Sequence, residues 1–245
     1  MCTKCGNLEA IHLPVYSRRN FLKFSGVAAL GAAVSRSLFA ASDVKPKPQN
    51  VLTPDEALHR LKQGNQRYIQ GVMKRHDFAA ERAALAGGQN PYAGILSCAD
   101  SRIAPEYAFD TGRGDLFVVR VAGNFTNEDV IASFEYAVQF LGTPLLVVLG
   151  HEKCGAVDAA IKTVKDGAKL PGHLPAMMKK IAPAVEDVMG QPGDLLANAI
   201  RKNVMLNVEY LKKATPVISK FVEEGKVRVV GGIYRLEDGS VDWVG

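Results

Sequence analysis

A thiol, a carboxylate and a guanidinium stand at alternate positions of "SCADSR", residues 97–102: Cys98, Asp100 and Arg102. Further along, "GHEKCG", residues 150–155, brings His151 and Cys154 within one turn of chain. One imidazole nitrogen and two thiolates are donors that zinc takes in a tetrahedron. Three protein ligands with an open fourth position mark a catalytic site, whereas structural sites are closed. H-x-x-C alone is a weak signal; joined to C-x-D-x-R at a second strand end, it is a strong one. The competing chemistry is a Cys98–Cys154 disulfide, which an oxidising compartment outside the cell membrane would favour.

Export is written at the N-terminus. "SRRNFLK" (17–23) is followed by "FSGVAALGAAVS" (24–35), an apolar stretch of 12 residues. That is far short of the about 20 residues a membrane span needs. Paired arginines, a short apolar core and small residues at Ala40 and Ala41 describe a twin-arginine signal. An amphipathic first helix would not need the complete SRRxFLK pattern. The chain therefore divides into a signal peptide (1–41), a polar, proline-containing linker (42–52) and one catalytic domain (53–245). The signal calls for the twin-arginine export machinery and a periplasmic or otherwise exported location. Cys2 and Cys5 form a C-x-x-C that leaves with the leader. No other segment is apolar and long enough for a stable membrane anchor. Twin-arginine export carries folded proteins, so a metal acquired in the reducing cytoplasm can protect both remaining thiols in transit.

Removing the leader also removes the charge. The chain has a formal net charge of +5, and residues 1–41 hold Lys4, Arg18, Arg19, Lys23 and Arg36 against Glu9. The mature part is close to neutral, which gives no support to a nucleic-acid surface. "TGRGD" (111–115) is not a dinucleotide-binding fingerprint, and no Walker-type loop is present.

The elements that position these groups alternate. Thr53, Pro54 and Glu56 open a first helix with a capping pattern. A second helix spans 78–88, ended by glycine. Strands are read at 92–97, 115–123 and 144–150, the last continuously apolar and so buried on both faces. Helices follow at 126–142, with Val130, Phe134, Ala137, Val138 and Leu141 at helical spacing, and from Cys154 onward. Two more helical stretches precede a final strand and a hairpin turned at Asp238-Gly239. The reading is an α/β fold, a mainly parallel central β-sheet flanked by helices. Such sheets carry chemistry at the carboxyl ends of their strands, where Cys98 and His151 fall.

The chain resembles the β-class carbonic anhydrases, from about residue 53 to the C-terminus. The resemblance rests on "CADSR", "HEKCG", the intervening "VVRVAGN" and "QNPYAGILSC". It implies one Zn2+ per chain on Cys98, His151 and Cys154. It implies an Asp100–Arg102 pair that keeps the fourth position open for water, and reversible hydration of carbon dioxide to bicarbonate by a zinc-bound hydroxide. It implies a substrate pocket drawn from Gln89, Phe117, Tyr136 and Gly155. It also implies a homodimer, or a multiple of one, in which the helices of 53–87 wrap a partner and the pocket spans two subunits. Read from the residues alone, Phe117 is equally suited to plain core, whereas Tyr136 lies off the apolar stripe of its helix. Asp100 could serve as a turn cap, and His59, His76 and His173 read as surface residues.

Two other functions fit parts of the pattern. Hydrolysis of carbonyl sulfide or carbon disulfide uses the same nucleophile on linear molecules. A non-catalytic zinc-binding module would use the ligands but has no need of the Asp100–Arg102 pair. In one subgroup of the family the aspartate moves onto zinc at low pH. That subgroup carries a tryptophan three residues before the first zinc cysteine, as part of a secondary bicarbonate pocket. Ile95 occupies that position here, and the only tryptophan is Trp243. An aliphatic side chain has no indole N–H to donate. An open site is therefore expected near neutral pH, with a single, uncooperative titration of activity.

Overall fold

A computed structural model describes residues 51–244. The signal peptide with Cys2 and Cys5, and most of the linker, lie outside the described residues.

The chain enters through helix α1 (Pro54–Ile69), and its capping box forms as the sequence predicts. The Thr53 N–H donates to Glu56 Oε2 at 2.7 Å, and the Glu56 N–H donates to Thr53 Oγ1 at 3.3 Å. Such a cap is worth about 1 kcal/mol. Helix α2 (Phe78–Leu85) follows, capped by Asp77. It ends with Ala86 in its C-cap position, before the glycine pair expected to stop it. Strand β1 (Ala93–Ser97), helix α3 (Pro105–Ala108) and strand β2 (Leu116–Arg120) come next. Helix α4 (Glu128–Leu141), strand β3 (Leu145–His151) and helix α5 (Gly155–Asp166) continue the alternation. Helices α6 (Leu174–Glu186), α7 (Leu195–Lys212) and α8 (Ile218–Glu223) lead to strands β4 (Arg228–Tyr234) and β5 (Val241–Val244). The short α3 and α8 escaped the sequence reading because four and six residues show too little of a helical period.

The sheet order is β2-β1-β3-β4-β5. The first four strands are parallel and β5 pairs antiparallel with β4. β1 and β3 are buried at every position, which their unbroken apolar sequences require, while the edge strand β2 is half-buried. One face packs on α4 to α8, through Phe134, Val138, Ile181, Val204 and Leu211. The other packs on α1 and α3, through Leu61, Tyr92, Ile95 and Phe109. Gly64 is needed for that second contact, because a Cβ there would lie 1.8 Å from the Phe109 carbonyl oxygen.

β2 stops at Arg120, three residues before the expected end. The cause is a turn in "VAGN", where Gly123 has φ +83 and Asn124 φ +40. This turn lies beside the Cys98 thiol.

Candidate metal centre

Cys98 is the first residue after β1, His151 the last of β3, and Cys154 the N-cap of α5. β1 and β3 are neighbours, with Ser97 opposite Leu149, so the two strands end at one level. The thiols and the imidazole have ligand atoms within 4.8 Å of one another, and all three residues are buried. Both cysteines are free thiols, not a disulfide.

The His151 ring is held by its own loop. Its Nδ1–H donates to the Glu152 carbonyl oxygen at 2.8 Å, which leaves the Nε2 lone pair directed at the thiols. That assignment of the proton follows from the carbonyl, which can only accept. Nε2 is buried and has no hydrogen-bond partner among the described residues. A buried, unpaired nitrogen costs about 1–3 kcal/mol, and a metal ion would remove that cost.

The thiols also favour a cation. Cys98 is held down to about 4 by hydrogen bonding from the Cys154 thiol first, against its own burial, with help from the N–H groups of Gly123 and Asp100. Cys154 is pushed up, because its proton bonds the Cys98 sulfur and its own burial opposes a second negative charge. A dication between them would let both ionise. The donor set therefore fits zinc.

Asp100 stands at the mouth. Arg102 holds it in a two-pronged pair, Nε to Oδ1 at 2.9 Å and NH2 to Oδ2 at 2.7 Å. The same guanidinium reaches the Lys153 carbonyl at 3.2 Å, tying the first motif to the second. This contact holds the Asp100 carboxyl well below the usual carboxylate range. Its Oδ2 lies 3.8 Å from His151 Nε2. Arg120 was not singled out in the sequence, yet it clamps the loop from beneath. Its Nε donates to the Cys98 carbonyl at 3.0 Å and its NH2 to the Asp100 carbonyl at 2.7 Å. The signal available was a charge closing the apolar "LFVV".

The other predicted residues divide. Gly155 adjoins Cys154 with nothing within 4 Å of where a Cβ would sit, so the approach beside that ligand is open. Gln89 is exposed and precedes β1, whereas Cys98 follows it. From Ala93 to Cys98 the strand rises roughly 16 Å at about 3.3 Å per residue. Phe117 pairs in register with Gly94, three positions below Ser97. Its ring lies 6.4 Å from Tyr136, which lies 5.5 Å from Phe140. Tyr136 and Phe140 are 48% and 74% exposed. One chain does not bring Gln89, Phe117 and Tyr136 to the cysteine–histidine cluster. Ile95 is fully buried in β1. His59 and His173 are exposed as expected, but His76 is half-buried against Glu81 at 2.8 Å.

Known proteins resemble this architecture closely. "Carbonic anhydrase 2" of Mycobacterium tuberculosis is 40% identical over 189 residues, spanning 76% of this chain and 90% of that protein. The carbonic anhydrase of Mycolicibacterium smegmatis is 35% identical over 192 residues, 77% of this chain and 92% of that one. Among solved structures, the β-carbonic anhydrase CcaA superposes with a TM-score of 0.59 at 28% identity, covering 77% of this chain and 98% of its own. That of Aspergillus fumigatus CafA gives 0.60 at 25% identity, over 78% and 89%. Residues 15–35 match the twin-arginine translocation signal. Residues 93–241, more than half of the chain and the stretch containing every group of the cluster, match the carbonic anhydrase family, and the chain belongs to that family in its β class.

Proposed function

We propose that this chain is a zinc carbonate dehydratase, hydrating carbon dioxide reversibly to bicarbonate, with Cys98, His151 and Cys154 as the metal ligands. The observation that carries the reading is the buried Cys98–His151–Cys154 group with an unpaired Nε2, adjoined by the Asp100–Arg102 pair. Zinc bound there supplies Lewis acidity and brings the pKa of a water toward neutrality, making a nucleophile for carbon dioxide.

The chain's own groups do the rest. Asp100 stays ionised because Arg102 donates to both its oxygens, so it can accept a hydrogen bond and cannot give one. It therefore orients a water by one O–H and leaves a lone pair free for the carbon atom. Glu152, through its carbonyl, keeps His151 in the tautomer with Nε2 free. Gly155 keeps the approach to Cys154 clear. The names of the relatives point to carbon dioxide rather than carbonyl sulfide or carbon disulfide. The paired Asp100 speaks against a closed, purely structural site.

Gln89, Phe117 and Tyr136 belong, on this reading, to the pocket of a second copy. They lie away from their own cluster, and the half-buried Phe117 of the edge strand leads to the exposed Tyr136 and Phe140. A homodimer, or a multiple of one, follows. The twin-arginine signal supports export of the domain 53–245 to the periplasm or its equivalent, after a leader of 1–41 and a linker of 42–52. Among the described residues no helix is long and apolar enough to cross a membrane.

The test is metal content together with stopped-flow hydration of carbon dioxide, with carbonyl sulfide and carbon disulfide in parallel. About one zinc per chain and fast carbon dioxide hydration are expected. A metal-free protein with a Cys98–Cys154 disulfide and full activity would overturn the reading.

A further inference from the structure

Helix α7 buries two amides in its apolar face. Asn203 and Asn207 are each 2% exposed, among Ala199, Ile200, Val204, Val208 and Leu211. Amides in such a place are costly unless each is bonded, and these are. Asn203 Nδ2 donates to the Gly123 carbonyl at 2.8 Å. Asn207 Nδ2 donates to the Asn203 carbonyl at 2.8 Å and to its Oδ1 at 3.1 Å. The Thr126 N–H and hydroxyl donate to Asn207 Oδ1 at 2.6 and 2.9 Å.

The chain of bonds ends on a metal ligand. The Gly123 N–H donates to Cys98 Sγ at 3.3 Å. Its N–H and carbonyl belong to adjacent peptide planes, joined only by a glycine at φ +83. Glycine has the least restricted torsions of any residue, so nothing intrinsic fixes that N–H. A side chain at 123 would fix it, but a Cβ there would come within 2.6 Å of Ile181. The restraint has to come from outside the residue: Asn203 grips its carbonyl, and in the same peptide plane the Asn124 N–H donates to the Val121 carbonyl at 2.9 Å.

We propose that Asn203 is a positioning residue for the metal centre. By holding the Gly123 carbonyl it keeps the Gly123 N–H on Cys98 Sγ, and so tempers how strongly that thiolate donates to the metal. Asn207 bonds Asn203 and Thr126 bonds Asn207, and neither bonds Gly123 or Cys98 itself. The proposal rests on Cys98 being a metal ligand.

The test compares Asn203→Leu, which removes the donor at similar volume, with Thr126→Ala, which removes the hydroxyl bond at the far end of the network and leaves the backbone one. Each is purified as the full mature enzyme and also loaded with cobalt in place of zinc. Losing the N–H···S bond leaves a thiolate that is more electron-rich but less firmly placed, so the band shifts while the metal is held less tightly. In Asn203→Leu the thiolate-to-cobalt charge-transfer band should move to lower energy, and transfer of zinc to a chelator should quicken by about 10- to 100-fold. The pH of half-maximal activity should rise. Thr126→Ala should leave band and pH profile where the parent has them, whatever it does to the melting temperature. If Asn203→Leu does not fold, Asn203→Ser, with a shorter donor, is read the same way, for a band displaced in the same direction. A band and a zinc-transfer rate unchanged from the parent, with only the melting temperature lowered, would overturn the proposal. A parent protein without any thiolate-to-cobalt band overturns the metal reading beneath it instead.

Discussion

The two ends of β1 differ in kind. At its carboxyl end Cys98, His151 and Cys154 meet in a buried cluster with the part-exposed Asp100 at its mouth, cross-braced by Arg102, Arg120 and Gly123. At its amino end Gln89 is exposed, and the neighbouring Phe117 leads outward to Tyr136 and Phe140 at the surface. Residues that serve one pocket on the proposed reading thus have opposite environments in one chain. The first set is positioned by folding, because strand register and helix capping leave its side chains no other place. In the second set Phe117 is half-buried against the core, while Gln89, Tyr136 and Phe140 stay exposed, as the proposed second copy would require.

The largest effect should come from breaking the folded end. Cys154→Ser leaves two of three ligands, and activity should fall by about a thousandfold or more with loss of zinc, since the ligands act as a unit. Metal analysis beside the hydration rate checks it; a variant that keeps both its zinc and its rate contradicts the ligand assignment. Arg102→Met should spare the zinc but free Asp100 from its restraint. A loss of roughly 100-fold in hydration rate is expected for a misplaced polar group in a catalytic centre. A Michaelis constant that rises while the maximal rate stays constant would show that the pair does no more than bind substrate.

The amino end is tested by complementation. Gln89→Ala alone should lower activity by about tenfold with zinc retained, the scale of one lost substrate hydrogen bond. Unfolded and refolded together with Cys154→Ser, it should regain activity, because in a two-fold dimer one mixed site has both a good metal cluster and a good Gln89. About a quarter of the parent rate is the statistical expectation for random pairing under that symmetry. Activity that simply averages those of the two variants would place Gln89 in its own chain's pocket. Phe140→Glu should split the dimer, seen by sedimentation, and lower activity with it.

The sequence revealed the carboxyl end more fully than the amino end, for a physical reason. Cys98, Asp100 and Arg102 are close in the chain, and so are His151 and Cys154. The buried β1 and β3 announce themselves by unbroken apolar runs, so the convergence of their ends could be read. The supports were less visible. Arg120 acts through backbone carbonyls, and Asn203 acts on a glycine 80 residues away in sequence. Neither leaves a periodic trace. At the amino end the resemblance named Gln89, Phe117 and Tyr136, but no spacing in one chain tells which copy of the cluster they face. Tyr136 lying off its helix's apolar stripe was the one local hint, and its exposure agrees with it.

The smallest effect concerns pH. Arg102 donates to both oxygens of Asp100 and holds its carboxyl below the ordinary carboxylate range. A depressed folded pKa means that whatever the pair contributes is fully present above the unfolded value, about 3.9, and is lost only as pH falls through the lower folded one. Arg102 is raised by the same contact, so it does not change charge in the working range either. Between about pH 5 and 9 the pair is then constant, and Ile95 provides no N–H to draw bicarbonate into a second pocket. The decline of activity from alkaline to neutral pH should follow a single proton, with a limiting slope of about one on a logarithmic plot. The difference in urea midpoint between the parent and Arg102→Met should likewise stay flat from pH 5 to 9. A steep, cooperative loss of activity, or a crystal structure near pH 7.5 with Asp100 Oδ on the metal, would show that Arg102 does not keep its partner.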